Sequence, residues 1–175
     1  PLMSSFVLTG TFHFQTQLSN GDIVVEQYYN QNTRGLGTLL AFPPRPPQGM
    51  PPFGPADPGQ APWANIRTGV HPTGKPLYTG YPFAPQGLRG VTPFAGWKDN
   101  SASKDPGSGL FLGKVGHPCA TPDNGLLLSW SGGPVTSLAR PTNKPEADAG
   151  IYYIVDARTP AERPSNMFLI KNDPR

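Results

Sequence analysis

Apolar residues gather in short bursts near the two ends of the chain, and a long stretch between them has no period at all. In residues 6–29, FVLTGTFHFQTQLSNGDIVVEQYY, Phe12, Phe14 and Thr16 alternate with His13, Gln15 and Gln17. That is the period of two expected of a half-buried strand. Asn20-Gly21 then supplies a pair that favours the positive φ angles of a tight hairpin. Ile23-Val24-Val25 restarts a strand with β-branched residues, and LGTLLAF (36–42) reads as a third strand. The same grammar returns from residue 110, with LFLGKV, a turn at TPDNG, then GLLLSWS, then DAGIYYIVD. In that last segment Ile151, Tyr153 and Val155 alternate with Tyr152 and Ile154, and MFLIK starts a further strand near the end.

Residues 43–109 follow another rule. PPRPPQGMPPFGPADPGQAP suits neither a helix nor a central strand, which leaves polyproline II or ordered loop. PPRPP has the chemistry of an SH3-type ligand, a reading set aside for want of such a partner in a secreted protein. Aromatic residues recur through the stretch (Trp63, Tyr78, Tyr81, Phe83, Phe94 and Trp97), whereas a disordered linker is poor in them. The expectation is an ordered insert packed over a β scaffold, with Trp63, Trp97 and some of Phe53, Tyr81 and Phe94 partly buried. The chain thus divides into a first strand region (1–42), a Pro/Gly/aromatic-rich insert (43–109) and a second strand region with the start of a further strand (110–175).

Composition narrows the class. The 24 prolines and 21 glycines in 175 residues exclude long helices, and the 36% hydrophobic content argues against disorder of the whole chain. The net charge of +3 is spread over single lysines and arginines, with no basic stripe for nucleic acid. No run of about 18 apolar residues marks a membrane helix. One cysteine forbids an internal disulfide. The opening PLMSSF, without an initiator Met, is read as a cut in a longer protein.

The two strand regions align at an offset of 104 residues, which lays FHFQTQLSNGDIVV over GHPCATPDNGLLLS. His13 then falls on His117, Asn20 on Asn124 and Gly21 on Gly125, while Gly37 and Gly150 open the next strand of each copy. Strand, Asn-Gly turn, apolar strand, polar loop, Gly and aliphatic-aromatic strand is the meander of one propeller blade. TPDNGLLLSWS followed by DAGIYYIVD resembles the TolB-type propeller repeat, in which a Pro-Asp-Gly turn precedes an apolar strand and Ile-Tyr-x-x-Asp closes the blade. Asn124, inserted between Asp123 and Gly125, departs from that turn. The pairing of the two regions, over residues 11–42 and 110–156, is also similar to the propeller-containing middle region of hydrazine synthase alpha-subunit-like proteins. These resemblances imply an all-β fold: the blades of a partial or open propeller carrying a long ordered insert.

Candidate chemistry is sparse. His117 and Cys119 lie two apart, on one side of a regular strand, where a soft metal touches both. Two ligands do not make a site, and His13 and His71 bring no further Cys or carboxylate at ligand spacing. The expectation is that His117, like His13, is held by a hydrogen bond and binds no metal. No Cys-x-x-Cys-His run allows haem attachment, and no Gly-rich phosphate loop precedes a helix. Asp99, Asn100, Ser101, Ser103 and Asp105 sit in a Gly-rich loop without the Glu of a calcium hand. SWSGG lacks the Gly before the serine of a nucleophile elbow.

No cofactor is expected. The function expected is a non-catalytic binding or scaffold module of an exported protein, periplasmic or extracellular, whose partners are other protein chains or further blades. Nucleic acid and membrane spans are excluded from the reading. Two alternatives stay open: a propeller portion of a redox or hydrolytic enzyme with catalytic residues elsewhere, and an extracellular surface or filament component.

Overall fold

The computed structural model describes residues 11–28, 36–46, 48–49, 53–54, 67–70, 76–78, 84–85, 87–95, 113–132 and 149–172. Among them the chain is all-β, with no α-helix and a single 3-10 turn at Pro164–Asn166. Two four-stranded antiparallel sheets carry the architecture. The first contains β1 (Thr11–Gln17), β2 (Ile23–Tyr28), β3 (Thr38–Phe42) and β8 (Arg89–Gly90), in that order. The second contains β9 (Lys114–Ala120), β10 (Leu126–Ser131), β11 (Ala149–Ile154) and β12 (Phe168–Lys171), also in chain order. Each sheet is a meander in which every strand pairs with the one before it.

The stretch expected to be irregular contributes more than an insert. It holds two short ladders, β4 (Phe53–Gly54) with β7 (Ala84–Pro85) and β5 (Arg67–Val70) with β6 (Pro76–Tyr78). The chain then returns to the first sheet, because β8 pairs with β3 through Leu40–Gly90 and Ala41–Arg89. Residues 88–95, placed within the 43–109 insert by composition, therefore complete the first meander. Leu88, Val91, Phe94 and Ala95 are buried. The Pro and Gly around this segment hide a two-residue strand whose apolar neighbours anchor it. The expected burial of Phe94 is met; Phe53, Trp63, Tyr81 and Trp97 fall outside the described side chains.

Register corrects the repeat by one residue. The first hairpin closes at Gln17–Ile23 and the second at Ala120–Leu126, an offset of 103 rather than 104. Turn hydrogen bonds agree. Leu18 N–H donates to Asp22 O and Gly21 N–H to Leu18 O; in the other copy Thr121 N–H donates to Gly125 O and Asn124 N–H to Thr121 O. The left-handed position is thus Gly21 (φ 95°) in one turn and Asn124 (φ 66°) in the other. Gly and Asn are the residues that adopt it readily. Matching Asn-Gly to Asn-Gly by identity misaligned the pair: Gly21 belongs with Asn124, Asp22 with Gly125, and Asn20 with Asp123. Ile23–Phe42 and Leu126–Ile154 likewise place Thr38 opposite Gly150 in the repeat, and Gly37 opposite Ala149.

Each first strand also carries a bulge, which the expected alternation could not contain. Phe14 and Gln15 together oppose Val25, and His117 and Pro118 together oppose Leu128. The leading residue of each bulge has positive φ, 46° at Phe14 and 53° at His117. His117 therefore corresponds to Phe14, and His13 to Gly116. Phe14, one of the apolar residues of the expected alternation, is exposed.

The sheets pack front to back. Val24, Leu39 and Ala41 of the first sheet share one buried cluster with Val115, Leu126, Leu128 and Ile154 of the second, and Ala120, Trp130 and Tyr152 line it. Under the register equivalence, Val24, Leu39 and Ala41 match Leu127, Ile151 and Tyr153, which lie on the opposite face of the second sheet. Two unlike faces meet.

The corrected register makes a prediction. Asn124→Ala places a Cβ in the left-handed region that Asn124→Gly avoids, while both lose the same side chain. The Ala variant should be less stable than the Gly variant by about 1 kcal/mol, measured by urea unfolding. Equal stabilities would show that the left-handed backbone at residue 124 carries no strain for a side chain.

Candidate functional site at the seam between the sheets

The seam is built from strand ends and bulges of both sheets. Gly37, one residue before β3, exchanges two backbone hydrogen bonds with Val115 of β9, at 2.7 and 2.9 Å. Thr16 Oγ1 accepts from Ala120 N–H at 3.1 Å. At the hairpin end, Ser19 Oγ donates to Pro122 O at 2.6 Å and Asn20 N–H donates to Asn124 Oδ1 at 2.7 Å. Asn20 and Asn124, singled out from sequence as equivalent, are in fact partners across the seam. Arg89 closes this end: its guanidinium donates to Asp22 Oδ2 at 2.9 Å and to Ala157 O at 2.8 Å.

Glu26 lies in the middle of the seam, fully buried on β2. Its Oε2 accepts from the backbone N–H of His117 at 2.6 Å. The bulge makes this possible, because the left-handed turn at His117 takes its amide out of the β9–β10 ladder and aims it at the first sheet. Gly116 makes room. A Cβ there would stand 2.6 Å from Glu26 Oε2 and 2.7 Å from Leu36 Cδ2, closer than carbon tolerates. Oε1 of Glu26 has no hydrogen-bond partner among the described residues. Burial pushes the carboxyl up to about 8, and the His117 amide partly opposes that rise.

The His117 side chain contacts both sheets. Its ring packs on Phe14, with centroids 4.5 Å apart, and Nδ1 lies 3.2 Å from Ser129 Oγ. Ser129 Oγ in turn donates to Gly116 O at 3.1 Å, which leaves His117 Nδ1–H to donate to Ser129. The expectation that His117 is held by hydrogen bonds is met, by its backbone to the first sheet and by its ring within the second. A serine, a histidine and a carboxyl are therefore close in space. They are not wired as a hydrolytic triad, since the carboxyl binds the histidine's backbone rather than its ring and the hydroxyl proton points at a carbonyl. The bulge also breaks the alternation by which His117 and Cys119 were placed on one side of a regular strand. Cys119 is free and exposed. Among the described residues no three His, Cys, Asp or Glu side chains converge.

A second polar cluster stabilises the β9–β10 turn. Asp123 accepts from the Thr121 hydroxyl, from Tyr153 Oη–H at 2.9 Å and from Gly125 N–H at 3.3 Å. These bonds, the Thr121 hydroxyl first, hold its carboxyl below the ordinary range. Gly125 is required there by space rather than φ, because a Cβ would strike Tyr153 Oη and Thr121 Oγ1. His71, Asp99, Asn100, Ser101, Ser103 and Asp105 lie outside the described residues. Glu26, Gly116, Asp22 and Arg89 were missed by sequence reasoning. The available signal was Glu26 itself, a carboxylate two residues after Val24 in the apolar run DIVVEQYY.

Comparison of the chain with protein-family models, with curated proteins and with solved structures finds no match.

Two predictions follow from the seam chemistry. Because the folded carboxyl of Glu26 titrates near 8 and the unfolded one near 4.5, the folded state holds the extra proton between those values. Stability should be greatest below about pH 4.5 as far as this group is concerned. It should fall by up to about 1.4 kcal/mol per pH unit on rising toward 8, then level off. Urea midpoints measured from pH 4 to 9 should show that slope, and Glu26→Gln should flatten it and raise the midpoint at pH 8. A Gln variant with the parent's slope would remove Glu26 from the linkage. Gly116→Ala should cost at least about 1–3 kcal/mol through overpacking against Glu26 and Leu36. An unchanged unfolding midpoint in that variant would show that the seam is not close-packed at this point.

Proposed function

We propose that this chain is a non-catalytic binding or scaffold module in which the two meanders are successive blades of a β-propeller of the TolB-type kind, within an exported protein. One observation carries the reading. The two sheets share register, bulge and turn position, yet they meet by unlike faces. A two-layer sandwich buries the inner faces of its two sheets against each other. Stacking the front of one repeat on the back of the next is instead an arrangement that repeats indefinitely or closes into a ring. The polar groups at the seam serve as fasteners: backbone amides of the second sheet end on the Thr16 and Glu26 side chains of the first, and the Asn20 amide of the first hairpin ends on the Asn124 side chain of the second. The stretch between β3 and β8 leaves the sheet at one edge and returns to it, which suits a loop that carries contacts without disturbing the stack.

A determined structure of the protein as its source cell produces it tests this. The expected arrangement sets the first and second sheets side by side around a common axis, with β1 and β9 nearest that axis. A closed two-sheet sandwich without an axis would overturn the reading.

A further inference from the structure

The second sheet presents a face that the first sheet buries. Its outer side carries Cys119, Leu127, Ser129, Ile151, Tyr153 and Phe168, as the pairings Cys119–Leu127, Leu127–Tyr153, Ser129–Ile151 and Tyr153–Phe168 require. By register these positions match Thr16, Val24, Glu26, Leu39, Ala41 and Arg89 of the first sheet. There, Val24, Glu26, Leu39 and Ala41 are completely buried, and Val24, Leu39 and Ala41 share a cluster with apolar residues of the second sheet. On the second sheet Ile151 is 49% exposed and Phe168 61% exposed. An apolar sheet face left in water is a docking surface or a liability.

We propose that this face receives a third four-stranded antiparallel meander, carried by the polypeptide that follows β12 and stacked on the second sheet as the second stacks on the first. The inference rests on the propeller reading above and names the surface that the next blade occupies. Three observations fix the occupant. The face continues an interface already formed, so its shape and register suit a sheet of the same kind. The two positions that take backbone amides from the next sheet, Thr16 and Glu26, are filled here by Cys119 and by Ser129, whose hydroxyl is engaged within its own sheet, so this face meets the incoming sheet mainly through its apolar residues. Finally, β12 occupies the place of β8, the outer strand from which the chain passes on to the next sheet, since Arg89 and Gly90 match Phe168 and Leu169. A second copy cannot supply the complementary face, because the equivalent face of its first sheet, with Val25, Gln27 and Leu40, is already buried.

Photocrosslinking in the protein as its source cell produces it tests the proposal, with p-benzoylphenylalanine in place of the exposed Ile151. The expected product is an intramolecular crosslink to a peptide C-terminal to β12 that has an alternating apolar pattern and its own hairpin turn. Cys119 labelling by a maleimide in the same protein is expected to be at least tenfold slower than in the 175-residue chain alone. A crosslink to a second copy, to another protein or to a helical segment would overturn the proposal, as would no crosslink with Cys119 equally reactive in both forms. The propeller reading fails separately, if the first and second sheets themselves prove not to lie side by side around an axis.

Discussion

A buried carboxyl that accepts one backbone amide from a neighbouring sheet is an expensive way to join two layers. Glu26 is removed from water at a cost that shows in the rise of its pKa to about 8, and the bond it accepts from His117 returns only part of that. Everything around the pair serves to make the bond possible. The bulge in β9 frees the His117 amide from the ladder, the left-handed φ aims it, and the missing side chain of Gly116 lets Glu26 approach. Apolar residues on both sides keep water out. Altering any of these leaves a buried polar group unpaired, which costs more than the bond itself contributes.

That cost has a counterpart in specificity. Apolar faces alone would let two sheets slide or turn relative to each other, since hydrophobic burial has no direction. The seam fixes one arrangement with hydrogen bonds at three levels: Gly37 with Val115 on one side, Glu26 with His117 in the middle, and Asn20 with Asn124 at the turns. Arg89 adds a fourth link, joining Asp22 of one hairpin to the loop after β11. Its fork-shaped guanidinium meets a carboxylate and a carbonyl together, which a lysine ammonium on a flexible stem does less well.

The sequence made the element types legible because strands with β-branched residues and Asn-Gly turns obey local rules. Val24, Val25, Leu39 and Leu126 were readable as strand residues from their neighbours alone. Register was not, because it depends on which residue of the turn takes positive φ, and both Gly21 and Asn124 can. An identity-based alignment rewards matched letters, whereas the backbone rewards matched conformations, and the two differ here by one position. A one-residue slip moves every side chain to the opposite face. Paired with His13, His117 seemed to be half of a repeated motif; paired with Phe14, it is a bulge residue whose backbone does the joining. The short strand at Arg89 was hidden for a different reason. Two residues carry no periodicity, and only the tertiary pairing with Leu40 and Ala41 makes them a strand.

The substitution of Glu26 by Ser129 at the matching position in the second sheet shows how one repeat is tuned to two environments. In the first sheet the acceptor must reach across a packed interface to an amide that the bulge turns toward it, and a glutamate has the length. In the second the serine reaches only the adjacent strand of its own sheet, donating to Gly116 O and accepting from the His117 ring, so it steadies the bulge whose amide Glu26 uses. The same repeat position thus acts once as the grip and once as the brace for what is gripped. A carboxyl in place of Ser129 would set an acceptor against the Gly116 carbonyl and leave the bulge without its internal tie. The asymmetry between the two copies is therefore a requirement of the front-to-back stack: the residue that joins a sheet to the next one works only if the next sheet holds its own bulge rigid.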